Sequence, residues 1–338
     1  MSSTSQLTDF SDLYTDLQNR VRVQTAITAT ENQAKRYINI ALHDMHLGLE
    51  YRYPWAERRA ILRTQDDYST GTITATQGST AITGASTAWN TANSFGVNNM
   101  RTTGKILIGG GSVPYGISSI SSDTAAVLTD RFVESTVTAG TYVYYEDEYD
   151  LASDFLRPVD AQRFSDETNI SIISRTEFRR RYPSNSTRGR PTVATIIDFA
   201  PSGNTTPIRR VKLAPAPDSF ILIPYTYITS NLAVSSAGAA ASSLSAASDE
   251  PIVPLRYRHA IVYHALYNWY RDKKDDDRAA SAKAEYTDIM LRIMSDSEIG
   301  AVRPQLRPRI SGYKRAAKSP YRGGIGRYDT NGKFDRME

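Results

Sequence analysis

From Ser69 to Tyr145 the chain abandons the helical spacing that precedes it and becomes a run of short, alternating segments rich in Thr, Ser, Gly and Val. Candidate strands are Gly71–Thr76, Ser79–Thr83, Lys105–Ile108, Pro114–Ile120, Thr124–Thr129 and Thr141–Tyr145. Gln77-Gly78, Gly109-Gly110-Gly111 and Ser122-Asp123 punctuate them as turns. Several short strands at this spacing, with no helical period between them, predict a small β-sandwich or barrel.

The flanks read differently. Residues 9–62 read as helical, with a weaker first helix over Asp9–Val23. Thr28-Ala-Thr-Glu31 has capping-box spacing. Ala34, Tyr37, Ile38, Ala41, Leu42 and Met45 then recur on one helix face before Pro54 and Trp55 end the pattern. A second helical stretch runs from Leu255 to about Ser295. It carries Leu255, Val262, Leu266 and Trp269 on one face, a charged break at Arg271–Arg278, and then Tyr286, Ile289, Met290 and Ile293. The resulting fold-class expectation is α+β. It comprises a helical bundle body with an inserted small β-sandwich or barrel, a small mixed β region and an extended basic C-terminal arm. The expected boundaries are 1–67 and 251–300 for the body, 68–147 for the inserted β-domain, 148–234 for the mixed region, 235–250 for a flexible loop and 301–338 for the arm. In the mixed region, Ser153–Phe164 reads as a turn or short helix and Thr176–Arg181 as another. Thr192–Phe199, Arg209–Leu213 and Phe220–Thr229 read as strands.

The arm carries the charge. It holds ten basic residues against Asp329, Asp335 and Glu338, a balance of +7; the whole chain is +4, so residues 1–300 sum to −3. Three prolines and five glycines in the arm oppose any long helix or strand. Such a segment gains little by folding on itself and can order on a partner. Its candidate contact residues are Arg303, Arg307, Arg309, Tyr313, Lys314, Arg315, Lys318, Tyr321, Arg322 and Arg327. Arginine forks suit phosphates and carboxylates alike, and the interleaved tyrosines suit base stacking or anchoring in a protein groove. A second basic segment contains Arg175, Arg179, Arg180, Arg181, Arg188 and Arg190.

Little in the chain points to catalysis. There is no cysteine, which excludes disulfides, thiolate metal sites and cysteine nucleophiles. His43 and His46 lack a third ligand, and His259 and His264 are poorly spaced for joint action; all four read as ordinary helix positions. The acidic run Tyr145–Asp150 lacks calcium-loop spacing and reads as a solvated exit from the β segment. Gly109-Gly110-Gly111 is a hairpin turn without a phosphate-binding continuation, so no cofactor is expected. Paired carboxylates of a carbohydrate-active enzyme are not favoured by any residue pattern. The most apolar run, Phe220–Ile228, is far shorter than the ~20 residues that span a bilayer, so no membrane partner is expected. The first residues show neither a basic start nor an apolar stretch of a secretory signal.

The order of segments resembles the head-to-tail adaptor (connector) proteins of tailed bacteriophages. The likeness runs from about residue 28 to 296. It is carried by Tyr53-Pro-Trp55, Tyr149-Asp-Leu-Ala-Ser-Asp-Phe-Leu156, Ile172-Ile-Ser174 with Phe178, and Gly189-Arg-Pro191. It continues in Leu213-Ala-Pro-Ala-Pro-Asp218 before Phe220–Tyr227, and Leu232. Asp249-Glu-Pro-Ile-Val-Pro254 then opens the helix with His259, Ala265 and Leu266, and Glu285-Tyr286 follow. The chain departs from the family pattern at Ala152, where a proline is common. The segment Gly71–Tyr145 is similar to a β-domain inserted at this place in many neck proteins. The resemblance implies a non-enzymatic virion protein of the neck, assembled in the host cytoplasm. It implies a homo-oligomeric, dodecameric ring between the portal protein and the tail nozzle or tail tube proteins. DNA would pass through its channel without sequence specificity, and the C-terminal segment would dock on the portal. Other readings are a different neck or tail component, such as a nozzle or tail-completion subunit, and a nucleic-acid-binding module working through the arm.

Overall fold

The computed structural model describes residues 6–23, 27–47, 53–184, 186–199 and 208–297. Two compact units are present: one joins the described parts of Met1–Pro54 and Ala233–Glu338, and the other is Trp55–Leu232.

The expected helical-bundle body with a small β insert is overturned. Among the described residues, strand accounts for 31% and helix for 29%, with eighteen strands in four sheets and only five α-helices. Two segments account for much of the difference. Glu57–Arg63 lies in a stretch expected to be helical, and its Glu, Arg, Ala and Leu are good helix formers. It is instead a strand, paired antiparallel with Leu222–Thr229 from Glu57↔Ile228 to Arg63↔Leu222. Phe155–Pro158 and Arg163–Ser165, expected as turn or helix, are also strands. Pairing to distant partners and burial of one face outweigh local propensity in both places.

The helices of the first unit are α1 (Phe10–Val21), α2 (Thr28–Leu47), α4 (His259–Asp272) and α5 (Asp276–Ser297); α3 (Arg175–Arg181) belongs to the second unit. The capping box lies on α1, not at Thr28. The Asp9 carboxylate accepts from the Asp12 N–H at 2.9 Å, and the Asp12 carboxylate accepts in return from the Asp9 N–H. At α2, Thr28 is already inside the helix, and the Ile27 carbonyl accepts from Thr30 and Glu31. The apolar face of α2, from Ala34 to Met45, is buried. It meets α4, where the Tyr37 and Trp269 rings lie 5.3 Å apart and the Tyr37 hydroxyl donates to Asp272. Leu255 sits in a short 3-10 turn and is exposed rather than on the α4 core face. The stretch expected as a flexible loop, 235–250, carries Ala240–Ala241 and the start of Glu250–Pro251, and both strands pair with Ala233–Val234 in a three-stranded sheet. Its buried Leu244 N–H donates to Asn39 of α2 at 3.0 Å.

In the second unit the seven-stranded sheet is antiparallel throughout. Its order is Val137–Gly140, Thr72–Ala75, Ala81–Ala85, Ala125–Leu128, Tyr115–Ser122, Lys105–Ile108 and Tyr142–Tyr145. The first and last strands of that order are joined by Thr141 alone, so chain continuity brings the two sheet edges together as a closed barrel. Its interior holds Trp89, Met100, Tyr115, Phe132, Tyr142 and Tyr144 among aliphatic residues of the strands. The Trp89 indole donates to the Tyr142 hydroxyl at 3.0 Å, which donates onward to the Thr70 carbonyl at 2.6 Å. Burial pushes the Tyr142 phenol up to about 12. Gly71, at φ +85°, begins this barrel; a Cβ there would stand 2.5 Å from the Ala85 carbonyl oxygen.

Two further sheets complete the unit. One is three-stranded, in the order Glu57–Arg63, Leu222–Thr229, Phe155–Pro158. The other is five-stranded, in the order Arg163–Ser165, Ile170–Ile172, Val193–Phe199, Ile208–Ala214, Glu148–Asp150. They share a core built on Leu62, Phe155, Phe164, Val211, Ile223 and Tyr225.

Candidate interaction surfaces

The acidic run at the end of the barrel is not a solvated exit. Glu146 is 1% exposed and Asp147 is 0% exposed. Arg101 grips Glu146 with both Nε (2.7 Å to Oε1) and Nη2, and the Tyr144 hydroxyl donates to the same carboxylate. Lys105 reaches Asp147 at 2.7 Å; Lys212 reaches it at 3.3 Å and Glu148 at 2.8 Å. Each carboxylate is thus neutralised by a cation from another element, as buried charges require. Burial and the neighbouring Lys212 push Lys105 down, against the pull of Asp147. Lys212 is also opposed by burial, yet Asp147 and Glu148 raise it. Burial, and then Glu146, hold the Tyr144 phenol well above its usual value. The cluster ties barrel strands Lys105–Ile108 and Tyr142–Tyr145 to Ile208–Ala214 and Glu148–Asp150 of the five-stranded sheet. Its chemistry is that of a fixed joint.

The basic segment after Ser174 is a surface. The Ser174 hydroxyl caps α3 by accepting from the Glu177 N–H at 3.2 Å, and buried Phe178 anchors the helix. Glu177 holds Arg180 and Arg181 at 2.8 and 2.5 Å. Arg188 pairs with Asp67 at 2.7 Å. Arg175, Arg179 and Arg190 are exposed. Of the histidines, His43 is exposed and His46 buried, while His264 packs against Tyr286 with ring centres 4.7 Å apart. Burial pushes the His264 imidazole down. Among the described residues no three His, Asp or Glu side chains converge as metal ligands. The ten arm residues from Arg303 to Arg327 lie outside the described residues.

One surface escaped the sequence reading. A groove of about 380 Å³ is lined by Ala60–Arg63 on one side and Glu148–Ala152 on the other. A smaller hollow of about 190 Å³ adjoins it through Arg63 and Arg101, and is lined by Thr64, Gln65 and Asp66 with Phe95 and Phe220. The two phenylalanine rings stack at 4.2 Å, 6° from parallel, although Phe95 is half exposed. Ile61 is 56% exposed and Leu222 49%. Nothing local signals this groove, because its walls are strands far apart in the chain.

The family model of the SU10 adaptor protein matches residues 120–309, more than half of the chain. The chain belongs to the SU10 adaptor protein family. The match begins in the barrel and covers the five-stranded sheet, α4 and α5. Membership makes the chain a phage adaptor-type structural protein, a component of the virion that contacts other virion proteins. No curated protein matches the sequence. Among the described residues of this SU10 adaptor family member, no helix is long and apolar enough to cross a membrane.

Proposed function

We propose that this adaptor is a non-enzymatic ring subunit of the virion neck. It joins the portal to the tail nozzle or tube as a homo-oligomer, dodecameric like the connectors it resembles, and extends the channel through which DNA passes. Its C-terminal arm docks on the portal. The observation that carries this reading is the charge asymmetry: a +7 arm of residues 301–338 follows a body of −3, in a chain of the adaptor family. A basic, proline- and glycine-rich segment suits an acidic groove of another protein, because it pays its ordering cost only on docking.

The test is deletion of residues 301–338. The truncated protein is expected to keep its far-ultraviolet spectrum and unfolding transition, and to be lost from portal-bearing heads on sedimentation. Docking of the full chain should weaken as salt rises beyond about 0.15 M, where exposed charges are screened. Normal docking by the truncated protein would sink the assignment of the arm. Retention of docking together with loss of DNA binding would favour the nucleic-acid reading instead.

A further inference from the structure

We propose that the groove between Ala60–Arg63 and Glu148–Ala152 receives an extended strand from another virion protein. This goes beyond the arm and is independent of it.

Glu57–Arg63 is an edge strand, with a ladder only to Leu222–Thr229. The Thr64 N–H bonds to the Ile221 carbonyl at 3.1 Å. Antiparallel strands alternate residues turned towards the partner with residues turned away. Counting back from Thr64, Leu62, Ala60 and Arg58 face the partner, whereas Arg63, Ile61 and Arg59 present N–H and C=O outward. The opposite wall repeats the arrangement. Glu148–Asp150 is the edge of the five-stranded sheet. The Leu213 N–H bonds to the Asp147 carbonyl at 2.8 Å and the Leu151 N–H to the Arg209 carbonyl at 3.0 Å. The same alternation turns Glu148 and Asp150 outward. Two strand edges therefore line one groove, and no described strand pairs with either.

Unpaired edges are hazards that proteins usually blunt with charge, short length or cover. Arg58, Arg59 and Arg63 supply charge here, but Ile61 stands exposed between them. Strand addition to an exposed edge is a recurrent mode of peptide recognition, with main-chain bonds giving affinity and alternate side chains giving specificity. The side chains state what the occupant needs. Ile61 and Arg63 are two apart and share a face. Arg63 lines both the groove and the adjoining hollow, whereas Glu148 and Asp150 across the groove are already held by Lys212 and Arg210. The occupant is thus an extended segment with an apolar residue to cover Ile61 and, two positions away, an acidic residue to meet Arg63.

The test uses the full chain and a defined probe, the acetylated hexapeptide Thr-Val-Thr-Asp-Thr-Val with a C-terminal amide. Fluorescence anisotropy of a labelled copy should show saturable binding. Amide hydrogen exchange should slow at least tenfold at Arg59, Ile61, Arg63, Glu148 and Asp150 when the peptide is present. Ile61→Pro removes an outward N–H, a position where an edge strand tolerates proline, and should weaken binding at least tenfold with the unfolding transition retained. If that variant fails to fold, Arg63→Glu carries the test: it should weaken this peptide and favour one with Lys in place of Asp. No saturation up to about 1 mM, or equal binding by a peptide N-methylated at both valines, overturns strand addition. Exchange protection of the same five amides that rises with protein concentration in the absence of peptide also overturns it, because a second copy then holds the edge.

Discussion

Replacing Asp147 by Asn tests whether the buried acidic run is a joint of the second unit. The substitution conserves volume and removes one charge. It leaves Lys105 and Lys212 facing each other, with only Glu148, bonded to Lys212 at 2.8 Å, to offset them. Breaking a buried pair by removing one partner costs about 3–5 kcal/mol. Asp147 is wholly buried, but each lysine side chain keeps 21% exposure, so water partly relieves the orphaned ammonium groups. The lower end, about 3 kcal/mol, is therefore expected. For a unit of this size that corresponds to a fall of about 6–12 °C in its melting temperature. Scanning calorimetry reads this directly, and urea unfolding gives the free energy. The double substitution Asp147→Leu with Lys105→Met removes the pair together and should recover to within about 1 kcal/mol of the natural protein. An Asp147→Asn variant within about 1 kcal/mol of the natural protein, or a double variant no better than the single one, would refute the reasoning.

Burial raises the phenols of Tyr142, Tyr144, Tyr145 and Tyr149 above the unfolded value. Their neutral form is favoured in the folded state, so this stability is complete below about pH 10 and is lost as pH rises above it. Absorbance at 295 nm should show these four phenolates appearing only with loss of the near-ultraviolet circular dichroism signal; ordinary titration in a native spectrum would contradict the burial argument. In the first unit, the buried Arg258 guanidinium donates to the carbonyls of Val253 (2.9 Å), Leu7 (3.2 Å), Pro251 (3.2 Å) and Thr8, and to Glu250 (3.1 Å). Arg258→Met should cost about 3 kcal/mol by orphaning several acceptors, and should speed amide exchange at the α1 cap; unchanged exchange there would show that the clamp does not hold it.

Where a segment's fate was decided by its own residues, the sequence was readable. The face from Ala34 to Met45 carries a helical period and is buried in α2. Lys105–Ile108 alternates and is a strand with Ile106 and Ile108 inside the barrel. The charge balance of the arm is likewise a property of composition. The capping box was harder: Thr28–Glu31 has the spacing, but Thr28 lies inside α2, and the reciprocal pair forms between Asp9 and Asp12 instead.

Sequence periodicity thus determined most of the helices and the alternating strands, because 3.6- and 2-residue periods are written in consecutive side chains. The tertiary structure alone decided that Glu57–Arg63 is a strand, since its ladder partner begins at Leu222. It also decided that Glu146 and Asp147 are buried, because Arg101, Lys105 and Lys212 arrive from other elements to neutralise them. The groove beside Ile61 has the same origin: its two walls are strand edges that no local pattern relates, and only folding sets them side by side.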